Sequence, residues 1–163
     1  MPRVQSPLMW QNPCIAEGRV LIEPEPLALI NQYRQDHQSK PEAGGILLGY
    51  RREGHLHVTM ATVPQPSDRR MRFWFSRATK HHQQEAVRHW MASNAEVDYL
   101  GEWHTHPEGR PSPSSLDRTE WRKIACERTS PMVFMILGWT GELWVGVSCD
   151  SGSVKPCTVQ IEQ

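Results

Sequence analysis

Apolar residues fall into short blocks whose spacing alternates between strand-like and helix-like, and the blocks predict a mixed fold. Arg19-Val20-Leu21-Ile22 reads as a short strand. Pro24 and Pro26 open a helix that extends to about Gln38, with Leu27 and Ile30 facing inward. Two apolar runs, Gly44 to Arg52 and Leu56 to Val63, flank a Glu53-Gly54 turn, which is a hairpin signal. Pro64 to Arg70 reads as a loop and Arg72 to Phe75 as strand-like. From Ala78 to Ser93, residues Ala78, His82, Ala86, His89, Trp90 and Ser93 recur at helical spacing and define one partly buried face. Val97 to Trp103 reads as a strand, and Ser114 to Glu127 as a helix. Met132 to Trp139, Glu142 to Ser148 and Val154 to Ile161 form a closing meander, with turns at Thr140-Gly141 and Asp150-Ser151-Gly152. The order predicts an α/β (α+β) fold: a mixed β-sheet flanked by helices in a single domain over 18–163, preceded by an irregular arm over 1–17. No internal repeat or low-complexity tract interrupts it.

Composition narrows the class. The 163 residues suit one domain with a sizeable core. Lys plus Arg and Asp plus Glu both number 18, so there is no electrostatic reason to expect a nucleic-acid partner. The cluster Arg69-Arg70-Met71-Arg72 beside Phe73-Trp74-Phe75 reads first as a solvated loop entering a core strand, next as a contact for an acidic protein tail, and only after that as one for RNA. Cysteines 14, 126, 149 and 157 have no metal or redox spacing. Cys126 reads as a small apolar filler in a helix. Reduced thiols in a cytoplasmic setting are the simplest account, with disulfides left open by the spacing. Met1 to Glu17 has three prolines and no apolar run, and no stretch approaches the roughly 20 apolar residues needed to span a bilayer. The expectation is a soluble protein without a membrane partner.

The chemistry concentrates at His104-Thr105-His106-Pro107, followed by Ser114 and Asp117. Side chains two apart on a strand face the same way, roughly 6.5–7 Å apart at Cα, so His104 and His106 can lean toward one ion while Trp103 and Thr105 point to the other face. Pro107, Pro111 and Pro113 end the strand and stiffen the loop. Ser114-Ser115-Leu116-Asp117 then opens a helix, where Asp117 can supply a third ligand. Two histidines, one carboxylate and an open fourth position make the pattern of a catalytic zinc. Ser114-x-x-Asp117 also resembles a capping box with Asp in place of Glu or Gln, and the two readings are compatible.

His104-x-His106-Pro107, six residues, then Ser114-x-x-Asp117 resembles the signature of the JAMM (JAB/MPN-type) zinc isopeptidases. Pro41-Glu42-Ala43-Gly44-Gly45-Ile46-Leu47-Leu48-Gly49 fits the upstream glutamate segment of that family. The resemblance implies the MPN/JAB (cytidine-deaminase-like) fold and one Zn2+ per chain on His104, His106 and Asp117. It further implies Glu42 as general base and Ser114 as oxyanion stabiliser. By itself, Glu42 reads as a solvated acid ahead of a strand. The substrate implied is a protein with a flexible, ubiquitin-like C-terminal tail, cut at the amide after the tail. The chain is similar to the small stand-alone bacterial members with Gly-Glu-Trp-His-Thr-His-Pro, the deconjugases of CBASS antiphage operons. That implies a cyclic-nucleotide synthase conjugate, joined to its target by an activating/conjugating-type ligase. Processing of a sulfur-carrier protein and a non-catalytic MPN binding scaffold are the alternatives.

Rival sites are weaker. Glu102 shares the strand face of His104 and His106, but its Cα lies about 13 Å from the far histidine on an extended strand; it reads as a neighbour of the site or a surface group. His55-Leu56-His57 has no downstream Ser-x-x-Asp and reads as an exposed hairpin face. His81, His82 and His89 read as solvated or partly buried helix residues. His106-x-Glu108 matches half of a zinc deaminase signature, but the chain has no Cys-x-x-Cys.

Overall fold

The computed structural model describes residues 6–150 and 152–162. Its elements run β1 (Leu8–Gln11), β2 (Arg19–Ile22), α1 (Pro24–Asn31), β3 (Gly44–Arg52), β4 (His55–Ala61), β5 (Arg69–Met71), β6 (Trp74–Ser76), α2 (Thr79–Ala92), β7 (Asp98–Thr105), α3 (Ser115–Cys126), β8 (Val133–Leu137), β9 (Leu143–Ser148), β10 (Val154–Pro156) and β11 (Gln160–Ile161). Nine strands form one sheet in the order β10-β9-β8-β7-β3-β4-β2-β1-β11, and β5 and β6 form a separate hairpin. The β2–β4 and β7–β8 pairs are parallel; the other neighbours are antiparallel. This is the mixed sheet with flanking helices expected from the hydrophobic pattern.

The sheet curls until its ends approach. β10 and β11 stand at opposite ends of the strand order, yet only residues 157–159 separate them. Extended chain of that length spans at most about 14 Å. The link is bonded on both sides: Cys157 N–H donates to Val145 O at 2.8 Å, and Gln11 N–H donates to Val159 O at 2.9 Å. Two expectations are corrected here. Residues 8–11, taken as part of an irregular arm, form β1, because β2 and β11 offer it partners on both edges. Residues 1–5 of that arm, and Ser151 of the last turn, lie outside the described residues. Cys14 and Cys149, expected as reduced thiols, form a disulfide with a Cα–Cα distance of 5.5 Å, since the curl brings positions 135 residues apart into contact.

The inside of the curl holds the main core. Trp10, Val20, Ile22, Leu47, Val58, Leu100, Trp103, Met135 and Leu137 pack there, closed by Leu27 and Ile30 of α1. Alternate residues face outward under the other helices. Phe134 and Ile136 pack on Trp121 of α3, and Ile46 and Leu48 form a third cluster with Val97, against which Ala86 of α2 packs. The α1 helix stops at Asn31 rather than near Gln38, and the following turn sends Gln35 inward until it is 1% exposed. Cys126, expected as a core filler, is exposed at the end of α3. His82 is fully buried rather than partly solvated. Asp68 Oδ2 lies 3.0 Å from its Nε2 and Thr62 Oγ1 lies 2.6 Å from its Nδ1, which ties the loop before β5 to α2 and to the end of β4.

One irregularity in β7 decides what faces the helices. Leu47 pairs with Gly101 and Leu48 with Tyr99, so Leu100 is an extra residue on β7. A bulge of this kind reverses the facing of the residues beyond it. Leu100 and Trp103 both enter the core, while Tyr99 joins Glu102 on the outer face and donates its hydroxyl to Glu102 Oε1 at 3.1 Å. Next to the bulge, β7 runs so close to β8 that a Cβ on Gly101 would lie 1.6 Å from Val133 O. Gly101→Ala must therefore push the two strands apart, at an expected cost of about 1–3 kcal/mol or more. Urea unfolding of the variant checks this, and an unchanged midpoint would contradict the close approach.

Candidate active site

The end of β7 carries His104, and the chain leaves the strand at Thr105 to place His106. His106 N–H donates to Leu137 O at 3.0 Å, so the end of β8 holds this departure. Pro107 to Pro113 then return the chain to α3. Ser114 is the N-cap of α3: its Oγ accepts from Asp117 N–H at 3.1 Å, and Asp117 Oδ2 accepts from Ser114 N–H at 2.8 Å. The capping box expected from Ser114-x-x-Asp117 is therefore formed, and it aims the Asp117 carboxylate at the histidines. His104 Nε2 lies 3.3 Å from Asp117 Oδ1, and His106 Nε2 lies 3.2 Å from Asp117 Oδ2. The two Nε2 atoms are 3.0 Å apart. Trp121, stacked on Phe134 and Trp144, supports the His104 ring from α3.

Glu42 reaches the same place by strand pairing. Gly44 pairs with His104 and Gly45 with Trp103, so the residues just before β3 run alongside the residues just after β7. Glu42 is 6% exposed. Its backbone is anchored on both sides: its N–H donates to Met71 O at 2.7 Å, and its carbonyl accepts from Arg70 Nε at 3.0 Å. The ligand atoms of Glu42, His104 and His106 all lie within 4.8 Å of one another. The five residues singled out in the sequence, Glu42, His104, His106, Ser114 and Asp117, thus line one cavity of about 650 Å³. Glu102 lines it too, but its carboxylate is held by Arg77 and Tyr99.

Electrostatics mark the corner as unusual. Burial acts to raise the Asp117 carboxyl, but hydrogen bonds from His104, His106 and the Ser114 backbone outweigh it and hold Asp117 far below the usual carboxylate range. Burial acts to lower the His106 imidazole, but Asp117, Glu42 and Glu108 outweigh it and raise its pKa. Burial pushes the Glu42 carboxyl up to about 7, against the pull of His104 and His106. His106 Nδ1 is buried without a hydrogen-bond partner, and Glu108 Oε2 stands 3.7 Å away. Glu108 had no role beyond the rejected deaminase half-motif, because nothing in the sequence pointed to its turning back on His106.

The arrangement fits a four-coordinate cation of zinc's size. Ligand bonds of 2.0–2.1 Å at tetrahedral angles put ligand atoms about 3.3–3.4 Å apart. His104 Nε2 and His106 Nε2 are 3.0 Å apart, and each lies 3.2–3.3 Å from a different oxygen of the Asp117 carboxylate. Two ring nitrogens facing each other at that distance repel if both are lone pairs, and a cation between them relieves this. Glu42 joins the same corner, with its carboxylate within 4.8 Å of both histidine ligand atoms.

The sequence matches the family of prokaryotic homologs of the JAB domain over residues 25–150, and the chain belongs to that family. It is 39% identical over 130 residues to the CD-NTase/cGAS isopeptidase of Escherichia coli (strain TW11681), covering 80% of this chain and 82% of the relative. It is 41% identical over 114 residues to the CD-NTase/cGAS isopeptidase of Pseudomonas aeruginosa (strain BWHPSA011 / Pa011), covering 69% and 72%. The solution structure of protein DSY2949 from Desulfitobacterium hafniense superposes with a TM-score of 0.59 at 16% identity, covering 83% of this chain and 87% of that one, which shows the shared fold. Among the described residues, no helix is long and apolar enough to cross a membrane.

A cation at this corner would compete with protons for His106. His106 ligates only when neutral, and its pKa lies above the ordinary 6.5. Zn2+ affinity should therefore fall as pH drops through that titration, by up to about ten-fold per unit for each proton displaced. Calorimetry in two buffers of different ionisation enthalpy should detect proton release near neutral pH. No release would contradict the ion-paired state of His106.

Proposed function

We propose that this chain is a zinc-dependent isopeptidase that hydrolyses the amide joining the C-terminal tail of a conjugated protein to an amine. By analogy with its relatives, the conjugated protein is a cyclic-nucleotide synthase of the CD-NTase class, placed on its target by an activating/conjugating-type ligase. The observation that carries this reading is the meeting of two imidazoles and Asp117 within 3.3 Å, with Glu42 buried beside them. His104, His106 and Asp117 would hold the zinc. Bound there, zinc makes water acidic enough to act as a nucleophile near pH 7 and polarises a carbonyl.

The chain's own groups account for the rest of the reaction. Glu42, with a carboxyl pushed up to about 7 by burial, can take a proton from the attacking water. It then delivers that proton to the leaving nitrogen as the carbon–nitrogen bond breaks, which yields a free carboxylate and a free amine. Ser114 uses an oxygen lone pair for its cap, so its O–H remains available to donate to the oxyanion of the tetrahedral intermediate. The tail needs an extended path into the cavity. Among the described residues β6 pairs only with β5, and Trp74, Phe75 and Ser76 line the cavity, so the open edge of β6 can receive a strand. Phe73 and Met71, 76% and 63% exposed, offer apolar contact beside it. The hairpin takes the place of the loop-to-core-strand reading of this stretch.

The test is cleavage of a purified conjugate carrying a synthase tail in isopeptide linkage to lysine. Glu42→Gln should keep its zinc and lose about 10²–10⁴-fold in kcat. Ser114→Ala should lose about 10²–10³-fold in kcat and, separately, about 1 kcal/mol of stability through the lost cap. Turnover of Glu42→Gln at the wild-type rate would overturn the assignment of the base. A Ser114→Ala defect confined to stability would reduce Ser114 to a cap.

A further inference from the structure

Thr105 lies between the two histidines and points away from them, fully buried. Its N–H donates to Ala43 O at 2.8 Å, as the next rung of the β3–β7 ladder would. The return bond is different. Ala43 N–H donates to Thr105 Oγ1 at 2.9 Å. A side-chain oxygen thus stands where a backbone carbonyl would be in a regular ladder. The substitution lets the chain peel away from β3 to place His106, while the residue next to Glu42 stays tied to the residue between the histidines.

The Thr105 hydroxyl can hold this rung because its single proton goes elsewhere. It donates to Gln35 Oε1 at 2.8 Å, which leaves its lone pairs free for Ala43. Gln35 is itself oriented: its Nε2 donates to Arg72 O at 2.7 Å and Lys40 O at 3.2 Å. Carbonyls only accept, so these two bonds fix which end of the amide is NH2 and turn its oxygen toward Thr105. Gln35 therefore joins three segments: the histidine strand, the stretch leading to Glu42, and the β5–β6 hairpin. Buried networks in which every member is satisfied hold geometry tightly, and a half-satisfied one does not.

We infer that Gln35 and Thr105 are positioning residues for the Glu42 carboxylate, setting its distance from His104 and His106 without touching substrate. This rests on the proposed role of Glu42 as proton acceptor. Misplacement of such a group by about 1 Å can cost 10²-fold in rate. The test uses Thr105→Val, which keeps the shape without the hydroxyl; Thr105→Ser, which keeps the hydroxyl; and Gln35→Glu, which cannot donate to the two carbonyls. Each is made in the full chain, loaded with zinc and assayed well below its melting temperature. Thr105→Val and Gln35→Glu should lose about 10²-fold in kcat, with KM and zinc content unchanged. Thr105→Ser should restore the rate. Independently of cleavage, the Ala43 amide should exchange with solvent faster in Thr105→Val than in the wild type or in Thr105→Ser. A Thr105→Val protein with wild-type kcat, or with wild-type protection of the Ala43 amide, would overturn the inference. An inert wild type whose Ala43 amide still depends on the Thr105 hydroxyl would instead overturn the isopeptidase reading and support the clamp.

Discussion

Two imidazole nitrogens 3.0 Å apart, with the partly buried Asp117 carboxylate against both, cannot all be neutral and unbonded. If both rings present lone pairs, they repel each other and leave Asp117 with an uncompensated charge. If both rings are protonated, two positive charges crowd together. The groups answer one another: hydrogen bonds from the two imidazoles hold the Asp117 carboxyl far down, and Asp117, Glu42 and Glu108 raise the His106 imidazole against its burial. A cation at the same point would answer the same demand, with His104, His106 and Asp117 as the residues that would hold it. The corner is built to hold positive charge, and the protein pre-arranges it by packing.

The fold meets that demand through three local devices. The capping box at Ser114 fixes Asp117 at the start of α3, where the helix would need an acceptor for its free N–H groups in any case. The bulge at Leu100 sets which β7 side chains face α3, and so puts Glu102 and His104 outward while Trp103 goes inward. The β3–β7 ladder brings Glu42 to the histidines across most of the domain's first half. Trp121 links these devices by packing under His104 and against the outward face of β8. The same residues therefore serve stability and chemistry, which explains how a small domain can bury several ionisable groups at one point.

Local signals in the sequence translated well into structure. The strand leading to His104, the prolines after His106 and Ser114-x-x-Asp117 each depend on neighbours a few residues away, and each formed the expected element. The Glu53-Gly54 hairpin and α2 followed for the same reason. Long-range facts were not legible. β1 has only four residues and exists because β2 and β11 flank it. The end of α1 is set by partners that Gln35 finds in distant segments, and the Cys14–Cys149 contact by the curl of the sheet. His82 reads as a solvated or partly buried helix residue until Asp68 and Thr62, from two other segments, close over it. Glu42 is an intermediate case: its spacing is silent, and its position became readable only through the family resemblance.

The central claim is that His104, His106 and Asp117 grip a single zinc ion. X-ray absorption combined with elemental analysis of the purified, reconstituted protein tests this most directly. The expected result is about one zinc per chain, four-coordinate, with nitrogen and oxygen neighbours at roughly 2.0–2.1 Å and no sulfur neighbour. A chain that takes up no zinc after reconstitution, or one whose zinc is bound through sulfur, would contradict it.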